Sequence, residues 1–134
     1  MIAGTDRVLH VVAAIIEHQG RILLAKRDEQ RDQAGLWEFP GGKVEAGESQ
    51  PQALIRELRE ELSIAAHIGR FIACEQAVIN NRTILLHAWH VPSFTGTLTL
   101  HCHSDLRWVD PKAAGSYALA KADIPLLQAF ITSM

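Results

Sequence analysis

At 134 residues, 48% hydrophobic and 21% charged, the chain is long enough for one domain with a buried core and too short for two. A formal net charge of −2 leaves no basic footprint, which argues against nucleic acid as a partner, and the seven histidines would shift that balance only in acid. The two cysteines, Cys74 and Cys102, have neither metal-pair spacing nor the density of a disulfide scaffold, so a reducing compartment is expected.

Residues 8–17 are rich in valine and isoleucine and predict a strand. Their apolar run, 11–16, is far below the roughly 20 residues of a membrane span, and no basic start or small-residue cleavage site precedes it. A cytoplasmic protein with no membrane partner is therefore expected. Gln19-Gly20 predicts a hairpin into a second strand over 21–26, followed by a polar loop over 28–35. A short strand over 36–39 ends at the breaker cluster Pro40-Gly41-Gly42.

Ser49 and Gln52 form a capping-box pattern, and Pro51 falls in the first turn of the helix they open. Leu54, Leu58 and Leu62 repeat every four residues and predict its buried stripe. Strands are expected over 65–79 and 82–91, joined at Asn80-Asn81, and again over 96–101 and 106–109. A last helix follows Asp123, with Ile124, Leu127, Phe130 and Ile131 as its apolar stripe. Strands on both sides of a central helix favour an α/β sandwich over a helical bundle.

The central helix also carries Glu57, Glu60 and Glu61, three and four residues apart and off the leucine stripe. Residues so spaced share a helix face. Three adjacent anions repel, so a purely structural helix gains nothing from them. A hard divalent cation would turn that repulsion into a binding site, because Mg2+ takes oxygen ligands and keeps several waters. The pattern points to a metal site for phosphate chemistry.

Gly42, Glu48, Arg56-Glu57-Leu58, Glu60-Glu61 and Ile64, with five residues after Gly42 and seven after Glu48, resemble the box of the Nudix hydrolases. Eight of nine specified positions match; the ninth, a glycine in that pattern, is Ser63 here. A glycine there commonly caps the helix with positive φ, and serine would strain the turn slightly. The run Ala34-Gly35-Leu36-Trp37-Glu38-Phe39-Pro40-Gly41-Gly42-Lys43 resembles the approach to the box in MutT-like members. Leu86-His87-Ala88-Trp89-His90-Val91 and Ala122-Asp123-Ile124-Pro125-Leu126-Leu127 look like the bacterial branch that hydrolyses CTP and 5-substituted dCTP. The similarity reaches from about Val8 to Phe130.

The resemblance implies one Nudix domain over residues 1–134, with its box at 42–64. The implied fold is an α/β/α sandwich with a mixed, curved sheet and a loop–helix–loop box. It further implies Mg2+, with Mn2+ as a substitute, held by Glu57, Glu60, Glu61 and the Gly42 carbonyl. Glu57 or Glu60 could alternatively deprotonate the attacking water. Arg56 and Glu48 would pair and fix the loop against the helix. Carboxylate-bound Mg2+ neutralises phosphate charge and lowers the pKa of bound water, which phosphoanhydride hydrolysis requires. The implied substrate is a nucleoside triphosphate, contacted by Arg27, Glu38, Phe39, Gly41, Gly42, Lys43 and Asp123. The implied products are monophosphate and pyrophosphate, with sanitation of the nucleotide pool as the role. Oxidised purine triphosphates are the alternative substrates, and a non-catalytic binding module the alternative class. The oligomeric expectation is a monomer or weak dimer.

Several of these residues also have ordinary structural readings. Arg27 would otherwise be a surface cation, Glu38 a solvent-facing strand residue opposite Trp37 and Phe39, and Asp123 a helix N-cap. Trp37, Trp89 and Trp108 read mainly as core, with Trp37 the best pocket wall among them. His87 and His90 lie three apart on a strand, face opposite ways and cannot chelate together. Cys102 is a departure. Family members often carry a further glutamate six residues before the later tryptophan, Trp108, and here that residue is Cys102, with Asp105 three before the tryptophan. Cys102 with the flanking His101 and His103 would also suit a transition metal.

Overall fold

The structure, a computed structural model, describes residues 8–28 and 34–134; most of the expected loop over 28–35 lies outside them. Strands β1 (Val8–His18) and β2 (Arg21–Arg27) form the expected hairpin. Gln19 and Gly20 turn it with φ of 53° and 79°, the handedness that suits a two-residue hairpin. Their pairing is brief, Glu17 opposite Ile22 and His18 opposite Arg21. Beyond it β2 leaves β1 to pair with β3 (Trp37–Glu38) and β9 (His103–Val109). The edge of β1 so vacated is taken by β4 (Gly41–Lys43), with Val12 opposite Gly42. That substitution places the glycine pair.

On its other edge β1 runs parallel to β7 (Arg82–Val91), which turns at Asn80 and Asn81 from antiparallel β6 (Phe71–Ile79). The result is a seven-stranded mixed sheet in the order β3-β2-β1-β7-β6, with β4 on β1 and β9 on β2. Alternation along β1 sends Val12, Ala14 and Ile16 to one face and Ala13 and Ile15 to the other. The first face packs against Ala53, Leu54, Leu58 and Leu62 of α1 (Gln50–Leu62). The second packs against Leu126, Leu127 and Phe130 of α2 (Asp123–Thr132). This is the expected α/β/α sandwich.

Helix α1 starts as its sequence predicts. The Ser49 hydroxyl accepts from the Gln52 N–H at 3.2 Å, and the Gln52 side chain accepts from the Ser49 N–H at 2.9 Å. At its other end Ser63 takes the left-handed conformation, φ 60° and ψ 34°. A non-glycine residue pays for that conformation in steric energy. Ser63→Gly relieves that strain but also loses the 2.7 Å bond between the Ser63 hydroxyl and His101 Nε2. The comparison is therefore with Ser63→Ala, which loses the same bond and keeps the strain. Glycine should raise the unfolding free energy above alanine by about 1 kcal/mol, read as a higher urea midpoint at unchanged slope.

Four readings need correction. The strand expected over 65–79 is two strands, β5 (Ala65–His67) and β6, which belong to different sheets. Between them the Gly69 N–H bonds the His90 carbonyl at 2.7 Å, and Gly69 lies so close to that carbonyl and to Pro92 that a side chain would not fit. Residues 96–101 form no strand despite their alternating threonines and leucines; the strand there is β8 (Ser93–Thr95), which pairs with β5. The Thr99 N–H instead satisfies the Leu62 carbonyl at the end of α1, at 3.0 Å. In α2, Ile124 is exposed and Leu126 takes its place in the core. Asp123 is not the N-cap: Ala122 holds that position without a side-chain bond, and Asp123 is a buried residue of the first turn. No helix among the described residues is long and apolar enough to cross a membrane.

Candidate active site

The divergence of β1 and β2 sets the site. Gly42 on β4 lies directly against the Glu57 carboxylate of α1, in the space a Cβ on residue 42 would fill. Gly41 is equally tight against the Val12 carbonyl. At residue 41 the obstacle is backbone, which excludes any side chain; at residue 42 a side chain would displace the Glu57 carboxylate from its present place.

Arg56 organises the acidic face. Its Nε and Nη2 donate to the two oxygens of Glu48 at 2.7 and 3.0 Å, a bidentate pair. Nη2 also donates to the Lys43 carbonyl at 2.9 Å, and Nη1 donates to Glu57 at 3.0 Å and to Glu60 at 3.3 Å. The expected Arg56–Glu48 pair is thus present and extends to two of the three box glutamates. The Arg56 hydrogen bonds, with one from the Glu45 N–H, hold the Glu48 carboxyl down at about 2. Glu57 moves the opposite way: burial raises its pKa, and the Arg56 guanidinium only partly offsets this. Glu60 is well exposed, whereas Glu61 has a buried carboxylate oxygen, Oε1.

A cavity of about 420 Å3 opens on the α2 face of the sheet beside β4. Arg27, Glu38, Phe39, Gly41, Gly42, Lys43 and Asp123 all line it. The structure therefore brings together every residue for which the sequence suggested a substrate contact. Glu38 is held there by two partners. Arg27 Nη1 donates to one of its oxygens at 2.7 Å and His103 Nε2 donates to the other at 2.8 Å. Burial works to raise the Glu38 pKa, but these bonds and the Arg27 charge outweigh it and hold the carboxyl below its usual range. Asp123 behaves in reverse. Burial, reinforced by the nearby Glu38 charge, pushes it up to about 8 even though the Phe39 N–H bonds it. At neutral pH the cavity thus holds one ionised and one protonated carboxyl.

Trp37 does not line the cavity. It is core, edge-on to Tyr117 at 5.3 Å, with the Lys26 and Arg107 cations near its ring. Trp89 and Trp108 are also packed, Trp89 donating to Gln50 at 2.9 Å and Trp108 stacking on Phe94. His87 contacts His10 and His90 contacts Glu17, on opposite faces of the sheet as expected. Sequence reasoning missed His103 as the partner of Glu38. It becomes one only through the β2–β9 register, which shifts between Lys26 and Arg27 to set His103 opposite Arg27. No local pattern announces that shift.

Comparison with known proteins matches this chain to the NUDIX domain over residues 6–130. The chain is 60% identical over 125 residues, 93% of each protein, to the CTP pyrophosphohydrolase of Escherichia coli. It is 51% identical over 61 residues, 45% of each protein, to an 8-oxo-dGTP diphosphatase of Haemophilus influenzae. The solution structure of the E. coli ORF135 protein superposes with a TM-score of 0.90 at 57% identity, covering 98% of this chain and 94% of that one.

Proposed function

The chain belongs to the NUDIX family, and on that premise we propose that it is a Mg2+-dependent pyrophosphohydrolase of cytosine nucleoside triphosphates. Water attacks the β-phosphorus, the bond to the α-phosphate oxygen breaks, and nucleoside monophosphate and pyrophosphate leave. The observation that carries this reading is one cavity lined by all seven candidate substrate residues, among them Gly42, which also lies against the Glu57 carboxylate. Its volume lies within the roughly 300–1,000 Å3 of small-molecule sites.

The metal-binding reading fits the residues present. Glu57, Glu60, Glu61 and the Gly42 carbonyl offer only oxygen, the donor set a hard cation prefers, and residue 42 has no side chain to block the Glu57 carboxylate. These residues would hold Mg2+, with Mn2+ as substitute, which when bound neutralises phosphate charge and acidifies water. Arg56 ties Glu48, Glu57, Glu60 and the Lys43 carbonyl into one unit, so β4, which carries Gly42, and the helix keep a fixed relation. Arg27 and Lys43 bring positive charge to the cavity that receives the triphosphate.

The base is read by two carboxyls in different states. Ionised Glu38, oriented by Arg27 and His103, accepts from the exocyclic amine of cytosine. Protonated Asp123 donates its O–H to a ring acceptor, while the Phe39 N–H steadies the carboxyl. Such an enzyme acts on the free nucleotide pool of the cytoplasm, removing modified cytosine nucleotides before a polymerase meets them. It needs no nucleic-acid partner and works as a monomer or weak dimer.

The test is pyrophosphate release from a panel of nucleoside triphosphates, with and without Mg2+, at pH values below and above about 8. Metal-dependent release should favour cytosine nucleotides. Their KM should climb as the pH passes about 8, where Asp123 loses the proton it donates. In Asp123→Asn, whose amide stays a neutral donor, that climb should vanish. Preference for oxidised purines would keep the reaction and overturn the base assignment, and no release from any triphosphate would overturn both.

A further inference from the structure

Among the described residues, one group of histidine, cysteine and carboxylate side chains has its ligand atoms all within 4.8 Å of one another: Glu61, Cys102 and His103. We propose that these three form a transition-metal site of the Zn2+ class, which shares Glu61 with the hard-cation carboxylates. The inference rests on side-chain geometry and not on the substrate reading.

The loop before β9 is fastened to the end of α1 at two points. The Thr99 N–H bonds the Leu62 carbonyl at 3.0 Å, and the Ser63 hydroxyl and His101 Nε2 share a bond of 2.7 Å. His101 Nε2 is thereby engaged outside the cluster, while Cys102 Sγ lies within 4.8 Å of the Glu61 carboxylate. His103 is the better placed of the two histidines. Its side chain is fully buried, and its Nε2–H donates to Glu38 at 2.8 Å. A carboxylate only accepts, so in the neutral ring Nδ1 keeps its lone pair, and Nδ1 faces Cys102 Sγ at 3.6 Å. Metal-bound histidines are characteristically held this way, with the second ring nitrogen on a carboxylate that fixes tautomer and orientation.

The spacing also fits. With Zn–S near 2.3 Å and Zn–N near 2.0–2.1 Å, a tetrahedral ion separates its sulfur and nitrogen ligands by about 3.6 Å. Thiolate, imidazole and carboxylate together suit Zn2+ or Co2+ rather than Mg2+. Three protein ligands leave a fourth position open to water. Because Glu61 serves both sets, an ion bound here withdraws it from the Mg2+ site and lowers Mg2+-dependent turnover.

Co2+ is the probe that reads the thiol directly. Metal-stripped Cys74→Ser protein, in which Cys102 is the remaining thiol, should bind Co2+ with a thiolate charge-transfer band and tetrahedral visible absorption. Adding Cys102→Ser, a near-isosteric change, should abolish the band and weaken Zn2+ binding by calorimetry about tenfold or more. A Co2+ spectrum without the band, or unchanged Zn2+ affinity in Cys102→Ser, overturns the site. Either result leaves Mg2+-dependent turnover to be judged by itself, so failure here and failure of the proposed reaction are separable.

Discussion

Glu57→Gln should lower kcat roughly 10³-fold with Mg2+ present, since a metal-held charge is worth several kcal/mol in the transition state and each 1.4 kcal/mol or so is tenfold. The substitution keeps the side-chain shape in the narrow space against Gly42 and removes one negative charge from among Glu45, Glu57 and Glu60. Its effect on folding runs the other way. Burial raises the Glu57 pKa in the folded protein, so ionising it opposes folding, and that cost grows as the pH rises through its folded value. A neutral glutamine avoids the cost. The urea midpoint at neutral pH should therefore match or exceed that of the unmodified protein while turnover collapses. Unmodified turnover in Glu57→Gln would remove this carboxylate from the metal set, and a collapse of both readouts would make its role structural.

What the sequence disclosed was local and covalently spaced. The capping box of Ser49 and Gln52, the Leu54–Leu58–Leu62 stripe and the acidic face of α1 all depend on residues within one helix, whose period is fixed. The Arg56–Glu48 pair joins α1 to the loop just before it, and the metal role implied for both Gly42 and Glu57 brings β4 to the helix; family spacing made both legible. What escaped depended on register between distant strands. His103 reaches Glu38 across 65 residues, through a sheet irregularity that periodicity does not encode. The alternating residues 96–101 carried a strand pattern, yet their backbone went to a helix-end carbonyl because that carbonyl needed a donor. Asp123 had the sequence of a cap but lies too deep for that role, at the wall of the cavity.

Arg56→Lys separates the charge of the hub from its shape. Lysine keeps the cation but offers its donors from one nitrogen, so it cannot bond both Glu48 oxygens, the Lys43 carbonyl, Glu57 and Glu60 in their present positions. Small misplacements of catalytic groups cost on the order of 10²-fold, and a loss of that size in kcat, with a lesser change in KM, is the expected result. A second readout follows from Glu48, which Arg56 holds at about 2 against an ordinary 4.5. A carboxyl whose folded pKa is depressed contributes stability above its unfolded value and loses it as the pH falls towards the folded one. With the fork gone, the Glu48 pKa should return towards 4.5, and acid unfolding should begin at a higher pH than in the unmodified protein. Retained kcat with an earlier acid transition would confine Arg56 to stability. Unchanged behaviour in both would mean that a point charge suffices, and that the two-pronged geometry around Glu48 does not position the carboxylates of α1.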